Sequence, residues 1–185
     1  PRRILLGPGP SNPHPRVLEA LSAPVVGHLD PEFFKVMEEN KEMLRWLFHT
    51  DNELTFPVSG TGSAGMETCL VNLIEEGDTV LVCVNGVFGT RMADIVERLG
   101  GNLVKVEAPW GEIIRPEQVK KALTDHNVDL VTLVHAETST GVWQPVEEIS
   151  QLVHEAGALL VLDTVTSLGG CPVTIDAWHV DACYS

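Results

Sequence analysis

From about Thr55 onward, short unbroken apolar runs take turns with longer amphipathic stretches. The runs Thr79–Val84, Leu103–Val106, Asp129–Val134 and Ala158–Asp163 are close to continuously apolar, which is how strands buried on both faces read. Between them, Ala64–Ile74, Thr90–Leu99, Pro116–Leu123 and Pro145–Ala156 carry helical spacing, and Gly77, Gly100 and Gly157 follow three of these stretches as stop signals. The repeated order of helix, glycine and strand predicts an α/β fold, with a mostly parallel central sheet and helices on both faces. One more strand is expected to end at Val58. Ligands of such sheets collect beyond the carboxyl ends of the strands, so the loops after Val58, Val84, Val134 and Leu162 are where chemistry is sought.

The first part of the chain reads differently. Gly7-Pro8-Gly9-Pro10-Ser11-Asn12-Pro13-His14-Pro15 holds four prolines, which restrict φ and withhold N–H donors, so an extended arm is expected there. A short helix over Arg16–Leu21 follows. A longer helix starts at Pro31, with Asp30 as its N-cap and a mainly apolar stripe of Phe33, Phe34, Met37, Lys41, Leu44 and Phe48. The chain is thus divided into an N-terminal arm with a short helix, residues 1–21, and one larger domain, residues 22–185. A length of 185 residues supports one hydrophobic core of ordinary size.

Composition narrows the partners. Twelve basic against 26 acidic residues give a net charge of −14, which repels nucleic acid. A small phosphate is not excluded, because helix N-termini bind anions locally. No apolar run approaches the roughly 20 residues that cross a bilayer. Arg2-Arg3 before Ile4-Leu5-Leu6 has the start of an export signal, but Gly7-Pro8 interrupts it at once. Cys69, Cys83, Cys171 and Cys183 are irregularly spaced without a C-x-x-C pair, and buried free thiols in the cytoplasm or an organelle matrix, peroxisome or mitochondrion, are expected.

The candidate chemistry sits in the sheet-edge loops. Gly60, Gly62 and Gly65 form a literal G-x-G-x-x-G that opens a helix, so an NAD-type oxidoreductase must be weighed. That fold also needs an acidic residue about 20 positions on, at the end of the next strand, and the chain has Asn85-Gly86 there. What remains is a phosphate-gripping turn: small residues allow close approach, the helix start offers N–H donors, and Thr61 and Ser63 add hydroxyls. Asp163 ends the most apolar strand, where an ionised carboxylate is costly without a cation, and a protonated pyridine nitrogen is one such partner. His135, Thr138 and neighbouring hydroxyls reach the same edge. Ser63, His135 and Asp163 could be arranged as a hydrolase triad, although the G-x-S-x-G elbow is absent. The histidines show no metal-ligand spacing.

Six ordered blocks resemble the class V, fold-type I aminotransferases of the alanine–glyoxylate and serine–pyruvate group, from Leu6 to Ser185. They are Gly7-Pro8-Gly9-Pro10-Ser11-Asn12, Gly27-His28, Ser59-Gly60-Thr61-Gly62, Asn85-Gly86-Val87-Phe88-Gly89, His135-Ala136-Glu137-Thr138-Ser139-Thr140-Gly141 and Asp163-Thr164-Val165-Thr166-Ser167-Leu168-Gly169-Gly170. The resemblance implies pyridoxal 5′-phosphate (PLP) as cofactor, with residues 22–185 as the incomplete large domain of that fold. Thr61, Gly62 and Ser63 would bind its phosphate, Asp163 its ring nitrogen, and Val165 and Phe88 its two ring faces. Phe88 stands where many relatives have an indole, and some relatives have His in place of Ser63. Thr138 would lie beside ring and substrate, and Pro10, Ser11 and Asn12 would line the substrate side. The implied reaction moves an amino group from alanine or serine to glyoxylate or pyruvate within a homodimer. The resemblance implies that the lysine that anchors PLP lies a few residues past Asp181-Ala182-Cys183-Tyr184-Ser185, with a smaller C-terminal domain after it; Lys35, Lys41, Lys105, Lys120 and Lys121 fall away from the ligand loops. A non-catalytic PLP-fold module stays open beside the enzyme reading.

Overall fold

The computed structural model of the chain describes residues 3–185, so Arg2 of the basic pair and the start of the arm lie outside the described residues. The first elements are two helices, α1 (Pro15–Ala20) and α2 (Pro31–Phe48). Asp30 caps α2 as expected, its carboxylate accepting from Glu32 N–H at 2.8 Å, with Pro31 in the first turn. Residues 3–30 are exposed throughout, and apart from Asp30, which opens α2, their hydrogen bonds among the described residues close within the segment. The α2 stripe is half-buried at Phe33, Met37, Lys41, Leu44 and Phe48, whereas Phe34 faces outward.

The remaining elements are α3 (Gly62–Leu73), β1 (Thr79–Val84), α4 (Val87–Arg98), β2 (Asn102–Glu107), α5 (Pro116–Asp125), β3 (Leu130–Val134), β4 (Ala136–Glu137), β5 (Val142–Trp143), α6 (Glu147–Glu155), β6 (Leu159–Asp163) and β7 (Ala182–Tyr184). The main sheet runs β2-β1-β3-β6-β7 with every pair parallel, in the predicted α/β arrangement. Each parallel pair needs a crossover; α4, α5 and α6 lie in the connections that build the first three, while β6 reaches β7 through residues 164–181 without a helix. β4 and β5 form a small antiparallel hairpin beyond the end of β3.

Two apolar layers result. On one face Met66 and Leu70 of α3 and Met92, Ala93 and Val96 of α4 pack on Val80, Val82, Val84, Val134 and Val161. On the other, Val119 of α5 with Ile149 and Val153 of α6 packs on Leu81, Cys83, Val131, Leu133, Leu160 and Leu162. The runs read as strands buried on both faces are so at β1 and β3. β2 departs from that expectation: it is the sheet edge, and Asn102, Lys105 and Glu107 are exposed. A charged residue on an edge also discourages pairing with foreign strands.

Three further differences have physical causes. Thr55–Val58 is not a strand, because no neighbour in the sheet order offers it a ladder and Pro57 removes one of its donors. α3 and α4 begin two or three residues earlier than their apolar spacing suggested, since Gly62-Ser63 and Val87-Phe88-Gly89 are first-turn residues. The expectation of four buried thiols fails at Cys171, which is exposed after the turn at Gly169-Gly170; Cys83 is buried, and Cys69 and Cys183 are partly so. Burial pushes the Cys83 thiol up to about 12 and the Cys69 thiol up to about 11, which keeps both protonated and unreactive. No helix among the described residues is long and apolar enough to cross a membrane.

Candidate functional site

The site forms where the carboxyl ends of β1, β3 and β6 meet the amino end of α3. At α3 the backbone bonds begin with Ala64 and Gly65, which both donate to the Thr61 carbonyl. The N–H groups of Gly62 and Ser63 stand ahead of that ladder, and the Thr61 side chain does not cap them. An uncapped start of a 12-residue helix is a place for an anion, reinforced by the aligned peptide dipoles. Ser63 Oγ accepts from the Arg91 guanidinium at 2.9 Å, and Arg91 also lies 5.0 Å from the centre of the Phe88 ring. Positive charge is thereby held next to the turn.

The two outer glycines of the G-x-G-x-x-G stretch serve packing. A Cβ on Gly60 would lie 2.5 Å from Ala64 Cβ, and one on Gly65 would lie 3.0 Å from Tyr184 Cβ, so Gly65 lets α3 settle against β7. Gly62 has a third role: a Cβ there would lie 2.8 Å from a methyl of Val165. The anion-ready turn therefore touches the residue two after Asp163.

Asp163 is 3% exposed at the end of β6. Its Oδ1 accepts from Val165 N–H at 2.9 Å and its Oδ2 from the Tyr184 hydroxyl at 2.8 Å. No cationic side chain meets it among the described residues. Burial pushes its carboxyl up, the two donors pull it back, and the charge of Glu137 pushes it further up. A carboxylate in that position is matched by a cation brought from outside, and each oxygen keeps a free lone pair with which to accept one.

Phe88 is half-buried at the start of α4, and its position is set by Glu137, which is 1% exposed. One Glu137 oxygen accepts from Phe88 N–H at 3.1 Å and Gly89 N–H at 3.4 Å. The other accepts from Ser139 N–H at 3.1 Å and Ser139 Oγ at 2.7 Å. One carboxylate thus ties the α4 start to the hairpin turn that carries Thr138, whose hydroxyl bonds to Thr166 beside Val165. Gly86 is needed here because a Cβ would come within 2.3 Å of Glu137 Cγ. Neither Glu137 nor Tyr184 stood out in the sequence. A buried carboxylate inside a polar run and a tyrosine closing a three-residue strand carry no periodic signal.

The hydrolase arrangement is not formed. Ser63 bonds to Arg91, Asp163 to Tyr184 and Val165, and His135 to neither Ser63 nor Asp163. His135 Nε2 accepts from the Trp143 indole at 2.9 Å, so its proton is on Nδ1, which donates to Ser167 Oγ at 2.9 Å. It is a satisfied structural histidine, 1% exposed, and burial lowers its pKa from the ordinary 6.5. A lowered folded pKa means the unfolded chain takes up the proton first. This contribution to stability is whole above about pH 6.5 and is lost as pH falls below it. In thermal melts from pH 7.5 to 5, wild type should lose stability more steeply than His135→Asn.

Among the sequence-derived residues, Thr61, Gly62, Ser63, Phe88, Thr138, Asp163 and Val165 line one contiguous edge. Pro10, Ser11 and Asn12 do not join it: Asn12 instead bonds Leu5 N–H at 2.7 Å and the Arg3 carbonyl at 3.1 Å. An arm with no sheet partner folds back on itself because its polar groups still need partners. The five lysines stay away from the edge, on α2, β2 and α5. No group of three or more His, Cys, Asp or Glu able to hold a metal ion occurs among the described residues.

Fold and site together define an open parallel α/β protein whose strand ends set an uncapped helix start against the segment that follows a buried carboxylate. The residues suit PLP on three counts: an uncapped helix start, a buried carboxylate lacking a cation, and a phenyl ring joined to the helix start through Arg91. The sequence profile described as "Aminotransferase class-V" matches residues 5–185, and the chain belongs to that family. Alanine–glyoxylate aminotransferase of Rattus norvegicus is 44% identical over 185 residues, which cover 100% of this chain and 45% of that protein. (S)-ureidoglycine–glyoxylate transaminase of Bacillus subtilis (strain 168) is 41% identical over 182 residues, 98% of this chain and 44% of that protein. The crystal structure of alanine–glyoxylate aminotransferase from Nostoc sp. matches with a TM-score of 0.96 at 50% identity, over 98% of this chain and 48% of that one. The chain spans about half the length of the curated relatives it matches.

Proposed function

We propose that the protein carrying this chain is a PLP-dependent aminotransferase, and that the chain is its cofactor-binding part. The reaction moves an amino group from a small amino acid, alanine or serine, to a small 2-oxo acid, glyoxylate or pyruvate. The observation that carries this reading is the contact of Gly62 with Val165, which brings the anion-ready turn against the strand end where Asp163 lacks a cationic partner. The activities of the alanine–glyoxylate and ureidoglycine–glyoxylate relatives support the same acceptor chemistry.

Thr61, Gly62 and Ser63 grip the phosphate through two N–H groups and two hydroxyls. Asp163 keeps the ring nitrogen protonated, Phe88 and Val165 cover the ring faces, and Thr138 faces the substrate. Pro10, Ser11 and Asn12 reach the substrate only if the arm leaves its present fold. Bound PLP supplies an electron sink for the charge that develops when the donor loses its α-proton. This chain's residues bind, orient and polarise. We place the anchoring lysine and a smaller C-terminal domain beyond Ser185 in the full-length protein, with residues 1–21 as arm and 22–185 as the large domain.

A homodimer is supported by the exposed apolar residues Val17, Leu18, Leu21, Val25 and Leu29. Four free cysteines support a reducing compartment such as the cytoplasm. Titrating the full-length protein with PLP tests the function. A saturable change in ring absorbance is expected, reversed by alanine or serine and restored by glyoxylate. Nicotinamide binding without PLP uptake selects the oxidoreductase, and PLP uptake without amino transfer selects a non-catalytic module.

A further inference from the structure

We propose that Tyr184 is a positioning residue for Asp163: its hydroxyl fixes the orientation and electron density of the carboxylate that faces the cofactor ring. The inference rests on the PLP reading of the site and deepens it.

The geometry is specific. Tyr184 is 5% exposed and donates to Asp163 Oδ2 at 2.8 Å, while Val165 N–H holds Oδ1 at 2.9 Å. With one donor on each oxygen the carboxylate plane cannot rotate without breaking a bond, and a hydrogen bond to a charged acceptor is among the stronger kinds. The tyrosine is itself held firmly. Its strand pairs with β6 in a register that sets Tyr184 opposite Asp163, and its ring carbons pack against Gly65 of α3. A Cβ at Gly65 would lie 3.0 Å from Tyr184 Cβ and 3.6 Å from two ring carbons, so α3, which begins at the phosphate turn, packs closely on the tyrosine whose hydroxyl steers the carboxylate.

Among the described residues the hydroxyl has no other strong partner, since its remaining contact is Met92 Sδ at 3.5 Å, a weak acceptor. A buried phenol in this position donates to the carboxylate, and burial beside Asp163 pushes its own pKa upward, which keeps the proton on the tyrosine. Donation draws electron density from Asp163. The ring nitrogen therefore meets an acceptor of moderated basicity, which keeps the shared proton on the ring, where electron withdrawal needs it.

The test uses the full-length holoenzyme. Tyr184→Phe keeps the ring and removes the donor. It should weaken PLP binding about tenfold, shift the absorption band of the bound cofactor, and lower kcat with little change in KM for the amino donor. Met92→Leu disturbs the packing of the same hydroxyl but spares the bond to Asp163, and should leave binding and band at wild-type values. Site-specific 3-fluorotyrosine at position 184 strengthens the donor without altering the fold. It should move the band opposite to the phenylalanine variant, and it decides the matter if that variant fails to fold. Wild-type affinity and band in Tyr184→Phe, an equal effect of Met92→Leu, or an unmoved band with 3-fluorotyrosine would each overturn the proposal. If Tyr184→Phe is silent while Asp163→Asn loses PLP, only the positioning role is lost. If wild type takes up no PLP, the site reading itself fails.

Discussion

Asp163→Asn in the full-length protein should lower PLP affinity and transamination together, by on the order of a hundred- to a thousand-fold. Asparagine keeps the shape: its carbonyl oxygen can accept from Val165 N–H, and its amide group can donate to the Tyr184 hydroxyl oxygen, so the fold is spared. What it removes is the negative charge that a protonated ring nitrogen needs. Without cofactor the effect on stability has the opposite sign, because the native side chain buries a carboxylate that burial already pushes toward its neutral form. The apo variant should therefore melt at or above the wild-type temperature while the loaded variant loses function. Melting curves with and without PLP, beside equilibrium titration, measure both. An apo variant that unfolds early would mean that Asp163 serves the fold instead.

The second large effect concerns stability. Gly89→Ala should destabilise by about 3 kcal/mol and lower Tm by roughly 6–12 °C for a domain of this size. A Cβ at Gly89 would sit 2.7 Å from the Cys83 carbonyl oxygen and 3.0 Å from Val84 Cα. Both are backbone atoms of a central strand, so no rotamer change relieves the overlap and α4 must lift off β1. Moving α4 also pulls Phe88 away from the Glu137 carboxylate, so PLP affinity should drop in the same variant. Gly170→Ala is the control, since its Cβ would have nothing nearer than Ser167 O at 3.6 Å. That variant should melt within about a degree of wild type.

Much of this architecture could be read from the chain because parallel strands buried on both faces have a simple signature. Thr79–Val84 was bounded to the residue, and the other three main strands to within one residue at either end. Asp163 was found because a carboxylate closing Leu159-Leu160-Val161-Leu162 contradicts its surroundings, and the glycine turn because its helix needed a start. The failures share a cause. β7 is three residues long and the β4–β5 hairpin has two per strand, too short for any period. Lys105 is the single charge inside the Leu103–Val106 run of β2 that betrays an edge, and Leu103, Val104 and Val106 around it have the composition of a buried strand. Thr55–Val58 has strand composition without a strand beside it, and pairing is not a property of composition. Glu137 holds the α4 start and Tyr184 holds Asp163 through tertiary contacts, which local sequence does not encode.

The strand order also sets a timetable for synthesis. β1 and β2 leave the ribosome with α4 between them and can pair early, yet the far flank of β1 then has nothing beside it. That flank consists of Val80, Leu81 and Val82, and it waits for Leu130, Val131 and Thr132 to emerge. β3 in turn waits for β6. A nascent chain must therefore carry an unpaired strand border flanked by mostly apolar side chains, first that of β1 and then that of β3, and this is the interval in which neighbouring copies can stick together or a chaperone can intervene.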